Sequence, residues 1–159
     1  MEIWQTIDEF PDYMVSNTGQ IYSIRAGRNL VLSKTVQGDL KVQLYYDKVG
    51  YTRSVRVLVA TAFVEPPVSR PVCDTVIVLD NNKNDVSMEN LGWRPAWFAI
   101  KYALQFQSVY PEHYMARQVQ NKVSGRVYSS VLECGITEGL LFKEVYLSCL
   151  MGKRVFPSS

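Results

Sequence analysis

Few side chains in this sequence suit acid–base, nucleophilic or metal chemistry, and they are scattered. The 159 residues include one histidine, His113, in the stretch SVYPEHYMARQ. Beside a Pro-Glu turn, such a histidine reads as a surface or capping group. The three cysteines, Cys73, Cys134 and Cys149, are far apart, with no CxxC and no paired Cys/His spacing. They indicate neither a zinc site nor a disulfide framework; reduced, partly buried thiols in a cytosol-like compartment are the expectation. Asp80, Asp85 and Glu89 fall close together and carry the oxygen ligands that Mg²⁺ requires, but no base accompanies them. Neither a metal ion nor a cofactor is expected.

The cations are more informative. The net charge is only +2, but it is unevenly spread. Residues 25–56 carry Arg25, Arg28, Lys34, Lys41, Lys48, Arg53 and Arg56 against Asp39 and Asp47 alone, whereas residues 1–24 carry Glu2, Asp8, Glu9 and Asp12 and no base. A basic stripe attracts phosphates, because each phosphate it neutralises releases condensed counterions. The same stripe also fits the solvated outer face of a sheet. An apolar fraction of 47% and a mean hydropathy of -0.06 belong to a folded, water-compatible chain. No apolar run approaches the ~18 residues needed to cross a bilayer, and the acidic start MEIWQTIDEF is not expected to serve as a leader peptide. A cytoplasmic location is expected.

These groups must be held by short elements. Residues 1–24 read as strand, turn and strand, with Asn17-Thr18-Gly19 supplying the turn chemistry. Leu40, Val42 and Leu44 alternate with Lys41, Gln43 and Tyr45, and Asp47–Gly50 turns the chain into a return strand over 52–57. The alternation predicts a small antiparallel sheet whose polar face carries Lys41, Gln43 and Arg53. Val55, Leu58, Val59, Ala62 and Phe63 have helical spacing, ended by Pro66-Pro67. Residues 76–93 form a β-like hairpin. The segment from Trp93 to about Gln107 predicts a helix with an apolar stripe at Trp97, Ile100, Ala103-Leu104 and Phe106 or Gln107, extended around the helix by Phe98 and Tyr102 and suited to a core or to a partner. A second helical piece covers EHYMARQVQNKV.

Several of these residues stand in the order of known motifs. Trp4, Tyr13, Val15-Ser16-Asn17, Gly19 and Tyr22-Ser23 match the small DNA-binding module that precedes the catalytic core of many phage and intron homing nucleases. Asp80, Asn82, Lys83, Glu89-Asn90-Leu91 and Trp93 match that core's active-site hairpin. Gly125, Tyr128-Ser129-Ser130, Cys134-Gly135-Ile136 and Leu150–Arg154 follow the outline of a C-terminal helix-turn-helix. The chain thus resembles the HNH homing endonucleases over nearly its whole length. The resemblance implies a divalent cation between a hairpin and a helix, and a histidine that takes a proton from water. Here the acidic ligand position holds Ile77, the histidine position Val78, the turn glycine Asn81 and the second ligand position Ala99. None of Ile77, Val78 and Ala99 has a side-chain lone pair. Asp80 and Glu89 occupy places that the family uses for the turn and the lead-in, and Arg56 stands where the family has a histidine.

The fold class that follows is α+β: a small N-terminal antiparallel sheet (1–50), a degenerate ββα-metal, HNH-like core (51–108) and a helical C-terminal module (109–159). The expected function is double-stranded DNA binding without cleavage, in a protein of phage or mobile-element origin. Arg25, Lys34, Lys41, Arg53, Arg56, Lys83, Lys143 and Lys153 are the expected DNA contacts. The alternative is a virion component or inhibitor acting on a protein partner, or a homo-oligomer, through the aromatic helix at Trp97–Phe106. The apolar TEGLLFKEVYLSC suits a packing or dimerising helix as well as one that reads DNA.

Overall fold

The computed structural model describes residues 1–65 and 72–156, which form two compact units: 1–78 with 82–95, and 79–81 with 96–156. Pro66 and Pro67 lie outside the described residues, as does the side chain of His113.

The first unit opens with β1 (Trp4–Ile7), β2 (Phe10–Ser16), β3 (Ile21–Ser23) and β4 (Arg28–Asn29), an antiparallel sheet in chain order. Tyr13, Val15 and Ile21 fill its inner face, and Trp4, Met14 and Tyr22 lie half-buried on the other. Strands β5 (Ser33–Lys34), β6 (Leu40–Tyr46) and β7 (Val49–Ser54) form a second sheet. The hairpin between β6 and β7 turns on Asp47 and Lys48, at φ 51° and 65°, the left-handed pair that a two-residue turn requires. Gly50, expected in the turn, lies within β7, where its missing Cβ leaves room for Gln43 and Tyr45. The return strand ends at Ser54, earlier than its apolar pattern suggests, because α1 (Val55–Phe63) starts there and buries Val55, Val59 and Ala60.

The hairpin of β8 (Thr75–Val78) and β9 (Leu91–Arg94) completes the unit. One core takes Val15 and Ile21 from the first sheet, Val42 and Leu44 from the second, Val59 from α1, and Val76, Val78, Leu91 and Trp93 from the hairpin.

The Asn17–Gly19 turn joins these parts. The Asn17 Oδ1 accepts from the Ile3 backbone N–H at 2.9 Å, and its carbonyl accepts from Met88 N–H at 2.8 Å. The buried Ser16 hydroxyl accepts from the Thr18 and Gln20 N–H groups. Gly19 sits at φ +93°, and a Cβ there would lie 2.3 Å from Cγ2 of Val86. The turn chemistry legible in the sequence therefore also docks the loop of the β8–β9 hairpin.

The second unit contains α2 (Ala96–Gln105), the single turn α3 (Glu112–Met115), the hairpin β10 (Val119–Gln120) and β11 (Val127–Tyr128), α4 (Val131–Glu138) and α5 (Phe142–Met151). Two expectations are corrected. Trp93 and Arg94 belong to β9, so α2 starts only after Pro95. The helix expected over EHYMARQVQNKV stops at Met115, because Val119 is buried opposite Tyr128 and Asn121 Oδ1 accepts from Val123 and Ser124 to close a turn ending at Gly125, φ +73°. Phe106, Tyr110 and Phe142 pack edge-on, and buried Gln105 accepts from the Phe142 N–H at 2.9 Å, serving an α5 start that has no capping side chain of its own. No helix among the described residues is long and apolar enough to cross a membrane.

Candidate nucleic-acid interface

The cations of the first unit are set out by strand register. Lys41 stands opposite Ser54 and Ser33, and Gln43 opposite Thr52, so these five share the outer face of the second sheet. Arg53 stands opposite Val42, on the inner face. This corrects its expected place beside Lys41: the return strand starts one residue away from the register that alternation suggests. The Arg53 guanidinium lies 5.1 Å from the Phe10 ring and 5.4 Å from that of Tyr51, and ion-pairs with Glu9 at 3.1 Å. Arg25 and Arg28 are exposed at the β3–β4 turn, and Lys48 at the β6–β7 tip. The stripe of residues 25–56 is thus divided among several surfaces.

One subset converges. Lys34 Nζ donates to Asn84 Oδ1 at 2.7 Å, and Lys83 Nζ donates to the Gln37 carbonyl at 2.8 Å. The Arg56 guanidinium pairs with Asp39 at 3.2 Å, and Lys83 approaches the same carboxylate oxygen at 3.8 Å. Gly38, at φ +87°, lets the turn pass between the two lysines: a Cβ there would sit 3.7 Å from both Lys34 Cε and Lys83 Cδ. Three elements far apart in sequence (β5, α1 and the hairpin loop) bring cations to one turn. The role of Asp39 was not read from the sequence; its signal was that only two acids interrupt the basic stretch.

The positions that the resemblance assigns to a cation site, Ile77, Val78 and Ala99, are apolar. Ile77 pairs with Gly92 and is 5% exposed; Val78 pairs with Leu91 and is 8% exposed. Val78 points into the first unit's core, and Ile77, its neighbour on a strand, to the opposite face. Ala99 lies on α2. Asn81 takes φ 63°, a left-handed conformation that glycine adopts without steric cost and asparagine tolerates. Asp85 accepts from the Ser87 backbone and hydroxyl, which holds the hairpin loop. Among the described residues no group of three or more His, Cys, Asp or Glu could hold a metal ion. Ile77, Val78 and Ala99 themselves carry no side-chain lone pair with which to hold a divalent cation.

In the second unit, α4 and α5 are joined by a short turn through Gly139, φ 62°. Gly135 allows the two helices to approach: a Cβ there would meet the Phe142 ring at 2.4 Å. Phe142 and Val145 are buried, while Lys143, Cys149, Leu150 and Met151 are exposed and Lys153 follows the helix. That exposed set is poor in the Arg, Asn and Gln side chains that read base edges. Burial pushes the Tyr128 hydroxyl up to about 12, aided by its hydrogen bond to Glu138, and pushes the Cys134 thiol up to about 11. Hydrogen bonds from Ser129 hold Glu133 below its ordinary value. On α2 the Trp97, Ile100 and Leu104 part of the stripe is 50%, 63% and 53% exposed, and the buried face is its extension, Phe98 and Tyr102, with Gln105.

Residues 2–51 match the NUMOD4 motif, which is found in HNH homing endonucleases. No curated protein matches the chain in sequence. Among solved structures, one described as DNA binding and cleavage by the HNH homing endonuclease I-HmuI aligns with a TM-score of 0.60 at 24% identity, covering 96% of this chain and 91% of that one. The chain therefore carries the NUMOD4 motif in its first unit and has, over most of its length, the fold of an HNH homing endonuclease.

Proposed function

We propose that this protein binds double-stranded DNA and does not cleave it, as a descendant of a phage or mobile-element nuclease. The observation that carries the reading is a contrast within one fold. The DNA-binding module keeps its framework at Ser16, Asn17 and Gly19, while the hairpin positions that resemble a cation site hold buried Ile77 and Val78. A scissile phosphate needs a cation to stabilise its developing charge and a base to deprotonate water. Apolar side chains perform neither task, but they do stabilise a core, by roughly 1.5–3 kcal/mol for each fully buried aliphatic group. The relative I-HmuI is described as binding and cleaving DNA; here the binding half of that activity is retained. Arg25, Arg28, Lys34, Lys41, Lys48 and Lys83 supply exposed or half-exposed cations to the phosphate backbone.

The test is fluorescence anisotropy of a labelled random-sequence duplex at two salt concentrations. Each phosphate contact costs roughly three- to fourfold in affinity between about 50 and 200 mM salt, so the converging Lys34, Arg56 and Lys83 alone give a loss of roughly fortyfold, and every further cation that reaches the backbone adds to it. Absence of binding at the lower salt would sink the reading. A second reading, docking on a protein partner or on a second copy, is favoured by the exposure of Trp97, Ile100 and Leu104 on one face of α2. Sedimentation at rising concentration separates the self-association form of it.

A further inference from the structure

We propose that Lys34, Arg56 and Lys83 form one phosphodiester-binding site of the DNA contact, and that Asp39 is a built-in competitor for it. The inference rests on the DNA-binding reading above. The three cations reach one turn from β5, from the first turn of α1 and from the β8–β9 loop. Like charges do not gather on a surface without compensation, and here the compensation is specific. Asn84 Oδ1 takes one N–H of Lys34, the Gln37 carbonyl takes one of Lys83, and the Asp39 carboxylate spans Arg56 and Lys83 at 3.2 and 3.8 Å. The two lysine hydrogen bonds each use a single N–H and the Asp39 contacts are ion pairs, while an ammonium has three N–H groups and a guanidinium five. The side chains of Arg56 and Lys83 are 31% and 38% exposed, so donors remain within reach of an oxyanion.

Asp39 occupies the place in this cluster that a phosphate oxygen would take: an anion between two cations. Its backbone is fixed, since its N–H donates to the Thr35 hydroxyl at 3.0 Å and its carbonyl accepts from the Thr35 N–H at 2.9 Å. Whatever its rotamer, the carboxylate therefore stays within one short side chain's reach of that fixed backbone when DNA arrives. A phosphate bound to Arg56 or Lys83 lies well within a screening length of it, about 8 Å at physiological salt, and is repelled. The opposing effect, that Asp39 holds Arg56 in place for DNA, is weak, because a half-exposed ion pair fixes its partners only loosely. Repulsion wins, so the carboxylate reduces affinity and makes binding more selective for duplexes that contact the remaining surface.

The test is Asp39→Asn, which keeps shape and removes charge, measured by anisotropy with a labelled random-sequence duplex over a salt series. Thermal unfolding of each variant checks that it is folded. The expected result is a severalfold gain in affinity, with a log K against log salt slope steeper by about one phosphate contact. Lys34→Gln, at an exposed lysine whose loss leaves the core untouched, should shallow the slope by about the same amount. Wild-type binding with affinity unchanged or weakened in Asp39→Asn, or an unchanged slope in Lys34→Gln, overturns the inference and leaves the DNA-binding reading standing. No binding by the wild-type chain overturns both.

Discussion

Replacing Ile77 by Asp puts a carboxylate where the resemblance implies the acidic ligand of an HNH hairpin, and the fold predicts what that carboxylate would meet. Ile77 is 5% exposed on a strand whose partner there is buried Gly92. Losing the aliphatic group removes roughly 1.5–3 kcal/mol of burial. A carboxyl in that position is forced to stay neutral; holding it protonated at pH 7, from an ordinary value near 3.9, costs about 1.4 kcal/mol per pH unit, roughly 4 kcal/mol in all. The variant should lose roughly 6 kcal/mol at pH 7, a large part of the ~5–15 kcal/mol typical of a domain. The sign is specific. Because the folded-state value is raised, the electrostatic penalty is absent below about pH 3.9 and grows as pH rises toward the folded-state value. Urea unfolding of wild type and variant at pH 4 and pH 7, followed by tryptophan fluorescence, reads the difference. If Ile77→Asp unfolds the chain outright at pH 7, the milder Val78→Thr, which buries one hydroxyl at a cost of about 1–3 kcal/mol, keeps the question measurable. A pH-independent loss below about 1 kcal/mol, or a rise in Tm on adding Mg²⁺ to the Asp variant, would mean a solvated cleft and refute the reasoning.

Further consequences follow from other parts of the fold. Gly19→Ala combines a left-handed φ with a 2.3 Å approach to Val86; it should cost about 2–5 kcal/mol, and adding Val86→Ala should recover the steric share in a double-mutant cycle. A thiol reagent near neutral pH should label exposed Cys149 quickly, and Cys73 and Cys134 only on unfolding; burial raises the Cys134 thiol to about 11, so equal rates at Cys134 and Cys149 would contradict the packing of α4. The Glu133 carboxylate, lowered by its bonds from Ser129, helps hold the start of α4 at any pH above the ordinary glutamate range. That contribution should fade as pH falls through the lowered value, and Glu133→Gln should flatten this limb of the stability profile.

Much of this was legible in the residues themselves. Asn17 and Gly19 read as a turn from their chemistry, and the alternation of Leu40, Val42 and Leu44 gave the inner face of the second sheet. Asn81 accepts the left-handed conformation that its position needs. Other features were not local. Arg53 shares a face with Val42 because a two-residue turn at Asp47-Lys48 sets the register, and period-two counting along one strand carries no information about its partner. The apolar stripe of α2 was legible, but Trp97, Ile100 and Leu104 are the exposed side, since so aromatic a helix offers two plausible faces and tertiary packing chooses Phe98 and Tyr102. The cluster at Asp39 joins residues as much as 50 positions apart, Lys34 and Asn84, which no spacing rule reaches.

The most direct test of the account is incubation of the purified chain with supercoiled plasmid and with a labelled duplex, with and without Mg²⁺ or Mn²⁺, scoring cutting and binding on the same samples. The account predicts a salt-sensitive shift of both DNAs, indifferent to the metal, with the plasmid left supercoiled. Nicking or linearisation that requires the metal and survives further purification would contradict it, and would mean that a cation finds ligands elsewhere than at the positions of Ile77, Val78 and Ala99.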